Sequence, residues 1–291
     1  MTKFVIICDT AVEFYDEYKT DEVVFVPTEI DVDGKRYLKD IDDKEISLNT
    51  FYKYLNNERE TKTNFIYPKL FIETATKYLK NDYDVLFLTC SNKLSGNYYS
   101  TLVAKDYLLK VFSKKKICCI NSFGFSSKEY LVLKTIMKLQ SENKEVNEVE
   151  KLISDEINEN LYQQITLCNS IDRLANSNRI PKSCTDFSTF LNNKPIYQTT
   201  QNGSISLLRK VRGWNKLVDS AFLILEKENE ENKIAEIAIS YTFNKMDAVN
   251  LANKIISKFK LTNTSINPMS ILVSSYTDLN SISIAWKRIK K

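Results

Sequence analysis

Histidine is absent from this 291-residue chain, and glycine and proline are scarce at five each. Without an imidazole there is no Ser-His-Asp hydrolysis, no histidine-ligated metal and no imidazole acid–base catalysis. No CxxC spacing links the six cysteines, Cys8, Cys90, Cys118, Cys119, Cys168 and Cys184. Several fall within or at the ends of expected strands, where a free thiol behaves as a small hydrophobe. That argues for a reducing cytoplasm rather than a disulfide framework. No apolar run approaches the roughly 18 residues of a membrane span, and an N-terminal strand ending in Asp9 reads as neither span nor signal peptide. P-loop, HExxH and Gly-x-Ser-x-Gly patterns are missing as well. The net charge of +4 is spread along the chain, and its longest basic run is Lys114-Lys115-Lys116. Such a run is a solvated face before a strand, so nucleic acid is not an expected partner.

Hydrophobic residues at 43% and charged residues at 27% describe an ordinary globule, large enough for one big domain or two moderate ones. An average chain of this length would hold about 20 glycines. With only five, each marks a place where the backbone needs one. Gly96 stands out, in Ser91-Asn92-Lys93-Leu94-Ser95-Gly96-Asn97-Tyr98-Tyr99-Ser100. The apolar run Val85–Thr89 before this segment reads as a buried strand, and Leu102, Val103, Tyr107 and Leu108 after it recur at helical spacing. Open α/β sheets bind ligands at such carboxyl ends of strands, where free N–H groups and the helix dipole face an anion.

Strand and helix signals alternate through the first half. Strands are expected at Phe4–Cys8 and Val23–Pro27, and a hairpin at Ile30–Val32 and Arg36–Leu38 about Asp33-Gly34. Ser47 caps a helix to about Asn57, and Pro68 opens another to about Lys80. A βαβ unit runs from Val85–Thr89 through a helix ending near Val111 to Ile117–Ile120. Helices at Ser127–Ser141 and Val146–Asn160 follow. The second half has a strand Gln164–Cys168, short helices Ile171–Ala175 and Thr185–Leu191, and a hairpin Pro195–Thr199 and Ser204–Val211 at Asn202-Gly203. Helices Trp214–Glu228 and Met246–Phe259 then alternate with strands Ile234–Ser240 and Ile271–Ser274. The fold class is α/β. A boundary near residue 160 divides the chain into an N-terminal lobe, 1–160, with a mainly parallel sheet flanked by helices, and a C-terminal lobe, 161–291, with a mixed sheet.

Short elements recur in one order: Asp9-Thr10 at a strand end, Asp33-Gly34-Lys35, Lys62-Thr63-Asn64 before Pro68, Lys93-Leu94-Ser95-Gly96, Asn121-Ser122, Asn178-Arg179-Ile180 and Lys210-Val211-Arg212-Gly213. Together they resemble the DegV family of bacterial fatty-acid-binding proteins, essentially end to end. The resemblance implies two lobes with a long-chain fatty acid in an apolar tunnel between them, its carboxyl group presented to a fatty-acid kinase. It implies no cofactor, no metal and no catalysis by the chain itself, with transient contact at a membrane surface. Thr63 matches the threonine of the family's Lys-Thr-Ser motif, with Asn64 in place of the serine. Ser95 matches the head-group serine, and Gly96 would let the backbone approach. Arg179 and Arg212 match arginines that look like kinase-docking residues, although Ser177 and Asn178 stand where the family has glycines. Tyr276 falls where the family carries histidine, and the Gly-Pro-Gly that follows there is missing. The expected head-group site is therefore Thr63, Asn64, Ser95, Gly96 and Tyr276.

Hydroxyl groups and backbone N–H groups suit a ligand whose charge changes between carboxylate and acyl phosphate. The tail supplies the affinity: about 14 methylenes at roughly 0.8 kcal/mol each offer about 11 kcal/mol before entropy losses. Plainer readings stand beside these. Ser95 could simply begin a helix, Thr63 could be a turn residue, and Arg179 and Arg212 could be surface charges. Tyr276 could fill space, and Phe65, Tyr67, Tyr98 and Tyr99 could line a tunnel or belong to the core. Two rival functions remain open: a drifted member binding another lipid without kinase coupling, and a phosphoryl-transfer or hydrolytic enzyme built on Asp9. Asp9 could bind a metal, but no second acidic residue is placed with it by sequence. Local hydrogen bonding is the favoured role for Asp9 and for Asn121-Ser122.

Overall fold

The computed structural model describes residues 3–13, 20–39, 45–170, 172–180, 193–277 and 279–290. Three strands carry the chain's most apolar runs: β1 (Phe4–Cys8), β6 (Asp84–Thr89) and β7 (Ile117–Asn121), every residue of them buried. With β2 (Val23–Phe25) they form a parallel sheet in the order β2-β1-β6-β7. Its two faces follow from the period of two along a strand. Val5, Ile7, Val85 and Phe87 meet Phe71, Ala75 and Leu79 of α2 (Pro68–Leu79) and Ala104 and Leu108 of α3 (Asn97–Val111). Ile6, Cys8, Leu86 and Leu88 face the opposite way, onto α4 (Ser127–Ser141) and α5 (Val146–Asn158).

Downstream of α5 lies a mixed six-stranded sheet in the order β10-β9-β8-β13-β11-β12: β8 (Tyr162–Leu167), β9 (Asn193–Thr199), β10 (Ile205–Arg212), β11 (Ile234–Tyr241), β12 (Thr264–Pro268) and β13 (Ile282–Arg288). One face packs on α7 (Trp214–Asn232) and α8 (Lys245–Phe259). On the other face, Ala238 and Ala285 join the same core as α4. Helix α4 is thus held between the two sheets, which is why Ser127 through Leu133 are buried without a break. A small antiparallel sheet, β4-β3-β5, completes the fold: β3 (Thr28–Val32), β4 (Lys35–Lys39) and β5 (Thr61–Thr63). Around it lie α1 (Leu48–Asn56), α6 (Asp172–Asn176) and α9 (Ile271–Thr277), which share a core with the β9–β10 hairpin.

The α/β class and the parallel-then-mixed arrangement are as the sequence indicates. The hairpin at Asp33-Gly34 has both residues at positive φ, 51° and 84°, the twist such a two-residue turn requires. Ser47 caps α1 by accepting the Thr50 N–H at 3.2 Å. Three readings need correction. Ile271–Ser274 is the start of helix α9 and not a strand, because the Ser270 carbonyl accepts the Ser274 N–H at 2.9 Å. A four-residue apolar run carries no period with which to tell the two apart. Strands β5, β12 and β13 went unread, β13 because buried serines interrupt its apolar pattern. Helix α6 runs one residue past its expected end, to Asn176; Ile171, the expected helix Thr185–Leu191 and Cys184 lie outside the described residues. The other five cysteines are free and buried.

Candidate functional site

A pocket forms where the two larger sheets and the small one meet, holding about 740 Å³ of space outside protein atoms, part of it open to solvent. The surface it presents is mostly apolar. Helix α9 contributes Leu272, Val273, Tyr276 and Thr277, the i, i+1, i+4, i+5 pattern of one helical face. From across the chain come Ala11, Leu94, Phe125, Tyr197 and Ile205. Hydroxyls and amides are interspersed, Thr166 and Gln198 among them, and among the described residues Arg179 is the one charged residue in the wall. Among the described residues no acidic side chain lines the pocket.

Thr63, Asn64, Arg179 and Tyr276 line both this pocket and a wide polar groove beside it, so they stand where the two meet. Strand β5 places Thr63 opposite Ile30 of β3, and α9 brings Tyr276 to it. The Thr63 hydroxyl and the Tyr276 phenol share a hydrogen bond. The Arg179 guanidinium lies over the Tyr276 ring, 3.8 Å from its centroid. Ser95 stands in the pocket wall at the β6–α3 junction, its backbone N–H bound to the Ser91 carbonyl at 3.1 Å. Asn64 is also in the wall, although its amide donates to Glu29 at 2.7 Å.

The remaining sequence-designated residues lie elsewhere. Gly96 does not line the pocket: its φ is −77°, and the space its missing side chain leaves is taken by the Phe65 ring, 3.1 Å from where a Cβ would sit. Arg212 is exposed on β10, away from the pocket wall, whereas Arg179 is half-buried within it. Phe65, Tyr67 and Tyr99 are exposed, at 46%, 61% and 54%, and none of the four aromatics considered lines the pocket.

Asn97 was not singled out in the sequence, yet it holds the junction together. It accepts the Ile66 N–H at 2.8 Å and donates to Asp9 at 2.7 Å. Asp9 also accepts the N–H groups of Ala11 (2.9 Å) and Cys90 (3.0 Å), the local hydrogen bonding expected of it. Asn121 and Ser122 likewise bond within their own turn, to Phe123 and Gly124. A second acidic residue does stand beside Asp9, contrary to the sequence reading: Glu129 of α4 arrives across the sheet, its carboxyl group within 4.8 Å of the Asp9 and Cys90 ligand atoms. Cys90 and Glu129 could coordinate an ion only by losing protons, since burial pushes both the thiol and the carboxyl well up. Asp9 itself does not line the pocket, whereas Cys90 and Asn97, which bond to it, do.

Glu13, also buried, accepts the Ser270 N–H at 3.1 Å and so ties the segment after β1 to the start of α9. Burial pushes its carboxyl up to about 7 from 4.5. Between those values the folded chain keeps a proton that the unfolded chain has lost. Stability from this group is therefore full below pH 4.5 and lost as pH rises through 7, a change of about 3 kcal/mol. Urea unfolding of Glu13→Gln should show stability relative to wild type rising by about that much from pH 4.5 to 8. A flat difference would mean Glu13 titrates normally.

A sequence model described as "Uncharacterised protein, DegV family" matches residues 3–288. The chain belongs to the DegV family. Among curated relatives, the DegV domain-containing protein YteA of Lactococcus lactis is 26% identical over 253 residues, 86% of each chain. The DegV domain-containing protein CPE0026 of Clostridium perfringens is 24% identical over 285 residues, 98% of this chain and 97% of that one. The fold matches a stearic-acid-binding protein from Eubacterium ventriosum at a TM-score of 0.87 and 20% identity, covering 98% of both chains. It matches the Streptococcus pneumoniae fatty acid kinase B3 protein, solved with linoleic acid, at 0.86 and 20%, covering 98% and 99%. DegV structures loaded with fatty acid thus share this architecture.

Proposed function

We propose that this DegV protein is a cytoplasmic carrier that binds a long-chain fatty acid in the pocket and presents its carboxyl group to a fatty-acid kinase. The observation that carries the reading is the pocket's composition, apolar in surface and, among the described residues, free of acidic ones, with Thr63, Tyr276 and Arg179 at its junction with the groove. Fatty acids bound by neighbours of the same fold support it. In this reading Thr63, Asn64, Ser95 and Tyr276 orient the head group, Gly96 sets the approach of Phe65 behind them, and Arg212 on exposed β10 meets the kinase. The chain itself does no chemistry, needs no cofactor, and touches a membrane surface only transiently. The lobes are residues 1–160 and 161–291, with the ligand between them.

One observation favours a second reading, a DegV protein that binds another lipid without a kinase. The Tyr276 phenol, standing where the family has histidine, already shares its hydrogen bond with Thr63. Solvent extraction and mass spectrometry of the purified protein should yield a stoichiometric long-chain fatty acid. No acyl lipid, together with no uptake of added fatty acid, overturns the carrier reading. Given the loaded carrier, the organism's fatty-acid kinase should form acyl phosphate, and Arg212→Ala should raise its KM for the carrier about fivefold by slowing charge-steered encounter. Loaded protein that the kinase ignores selects the second reading.

A further inference from the structure

Helix α3 leaves a row of large apolar side chains uncovered. Tyr99, Val103, Tyr107 and Val111 are 54%, 55%, 52% and 58% exposed, and their spacing of four puts them on one face. The adjoining face, with Ala104 and Leu108, packs on the parallel sheet. A helix at a protein surface ordinarily turns polar once it leaves the core, and along this row α3 does not. Its neighbours extend the row. The Phe65 ring lies against Gly96 at the start of α3 and 5.0 Å from the Tyr67 ring, and Leu70 stands in the first turn of α2. All three are exposed. At roughly 200 Å² for a whole aromatic side chain and about 150 Å² for an aliphatic one, the uncovered part comes to about 650 Å². The largest apolar patch of a monomer is about 300–600 Å², and one side of a stable protein interface is about 800 Å². None of these residues lines the pocket or the groove.

We infer that a second copy of the chain docks on this face, α3 against α3 in antiparallel register about a two-fold axis. A row spaced by four residues is a ridge, and two such ridges run along one another when helices cross at about 50°. The row also alternates in size, Tyr-Val-Tyr-Val. An axis midway between Val103 and Tyr107 sets each Val103 against the partner's Tyr107 and each Tyr99 against the partner's Val111. Large then meets small along the whole row, which is how facing side chains interdigitate. Parallel register would set tyrosine on tyrosine and hold the valines apart. Tyrosine suits such a face, since its ring is buried while its hydroxyl keeps a bond to water at the rim. Asp106 and Lys110 flank the row and interrupt none of it. The pocket and the groove lie off this face, so the inference does not depend on what the pocket binds.

The test is sedimentation equilibrium of the full chain. Wild type should form a dimer with a Kd of about 10 μM, the weak end for an interface of this size. Val103→Glu sets two like charges beside the axis and should raise that Kd about a hundredfold. Below the wild-type Kd its thermal midpoint should stay within a few degrees of wild type, because Val103 faces water in a single copy. In a Cys184→Ser background, Val103→Cys chains mixed with Tyr107→Cys chains should cross-link under mild oxidation about tenfold faster than either variant alone. A wild type that stays monomeric, an unchanged Kd in Val103→Glu, or a mixture that links no faster than its components overturns the inference. A monomer that sediments with phosphatidylglycerol vesicles, and does so less as Val103→Glu, gives the face to a lipid surface and overturns it too.

Discussion

Val273→Trp should weaken fatty-acid binding about two-hundredfold while the protein remains folded. Val273 sits on the face of α9 that lines the pocket, and its side chain is buried in the core that α9 shares with α1, α6 and the β9–β10 hairpin. An indole there excludes about four methylenes of tail; at roughly 0.8 kcal/mol each this removes about 3 kcal/mol, and about 1.4 kcal/mol is tenfold. The residues proposed to hold the head group are not substituted, so the loss reads the tail's share of affinity. Short acids should suffer less than long ones, which is the pattern to look for in displacement assays with C8 to C18 acids. A uniform loss at every length, or none, would place the tail elsewhere. Thermal unfolding within a few degrees of wild type shows that the effect is not lost folding.

Gly203→Ala should be the most destabilising single-methyl addition in the chain. Gly203 closes the β9–β10 turn at φ +83°, a conformation that costs an L side chain about 1–2 kcal/mol. A Cβ would also lie 2.2 Å from Ser91 Oγ and 3.1 Å from Phe123, and Ser91 Oγ donates to the Gly203 carbonyl at 2.8 Å. The methyl group therefore breaks the contact between this hairpin and the β6–α3 junction. Together these cost about 3 kcal/mol, a Tm lowered by about 6–12 °C. Ser91→Gly in the same molecule should recover the clash but not the backbone strain, returning about half the loss. A double variant no better than the single one would show that the clash is relieved by movement. The hairpin also supplies Tyr197, Thr199 and Ile205 to the pocket, so the single variant should retain less lipid as purified.

How far residues alone lead can be seen at particular positions. Phe4–Cys8, Val85–Thr89 and Ile117–Ile120 read as buried strands because strands covered on both faces are apolar throughout, whatever surrounds them. Asp33-Gly34 and Asn202-Gly203 read as hairpins because their backbone demands are local. Ile271–Ser274 misled because only its neighbours decide between helix and strand. Strand β13 went unread because Ser283 is satisfied by distant partners, Ser127 and Gln164. Asn97 and Glu129 carried no signal: one is an ordinary polar residue in a helix, and the other lies 119 intervening residues away from Asp9 along the chain.

Local chemistry along the chain was thus enough to indicate the α/β class and to set out the short motifs whose resemblance pointed to the family, since strand burial, turn geometry and motif spacing depend on residues close in sequence. Which residues line the pocket was settled only by packing. Thr63, Ser95, Arg179 and Tyr276 come from four separate elements, and Gly96 turned out to serve the Phe65 ring. Arg179 looks like surface charge until α9 sets Tyr276 beneath it, because the direction of a long side chain is decided by what surrounds it and not by its neighbours in sequence.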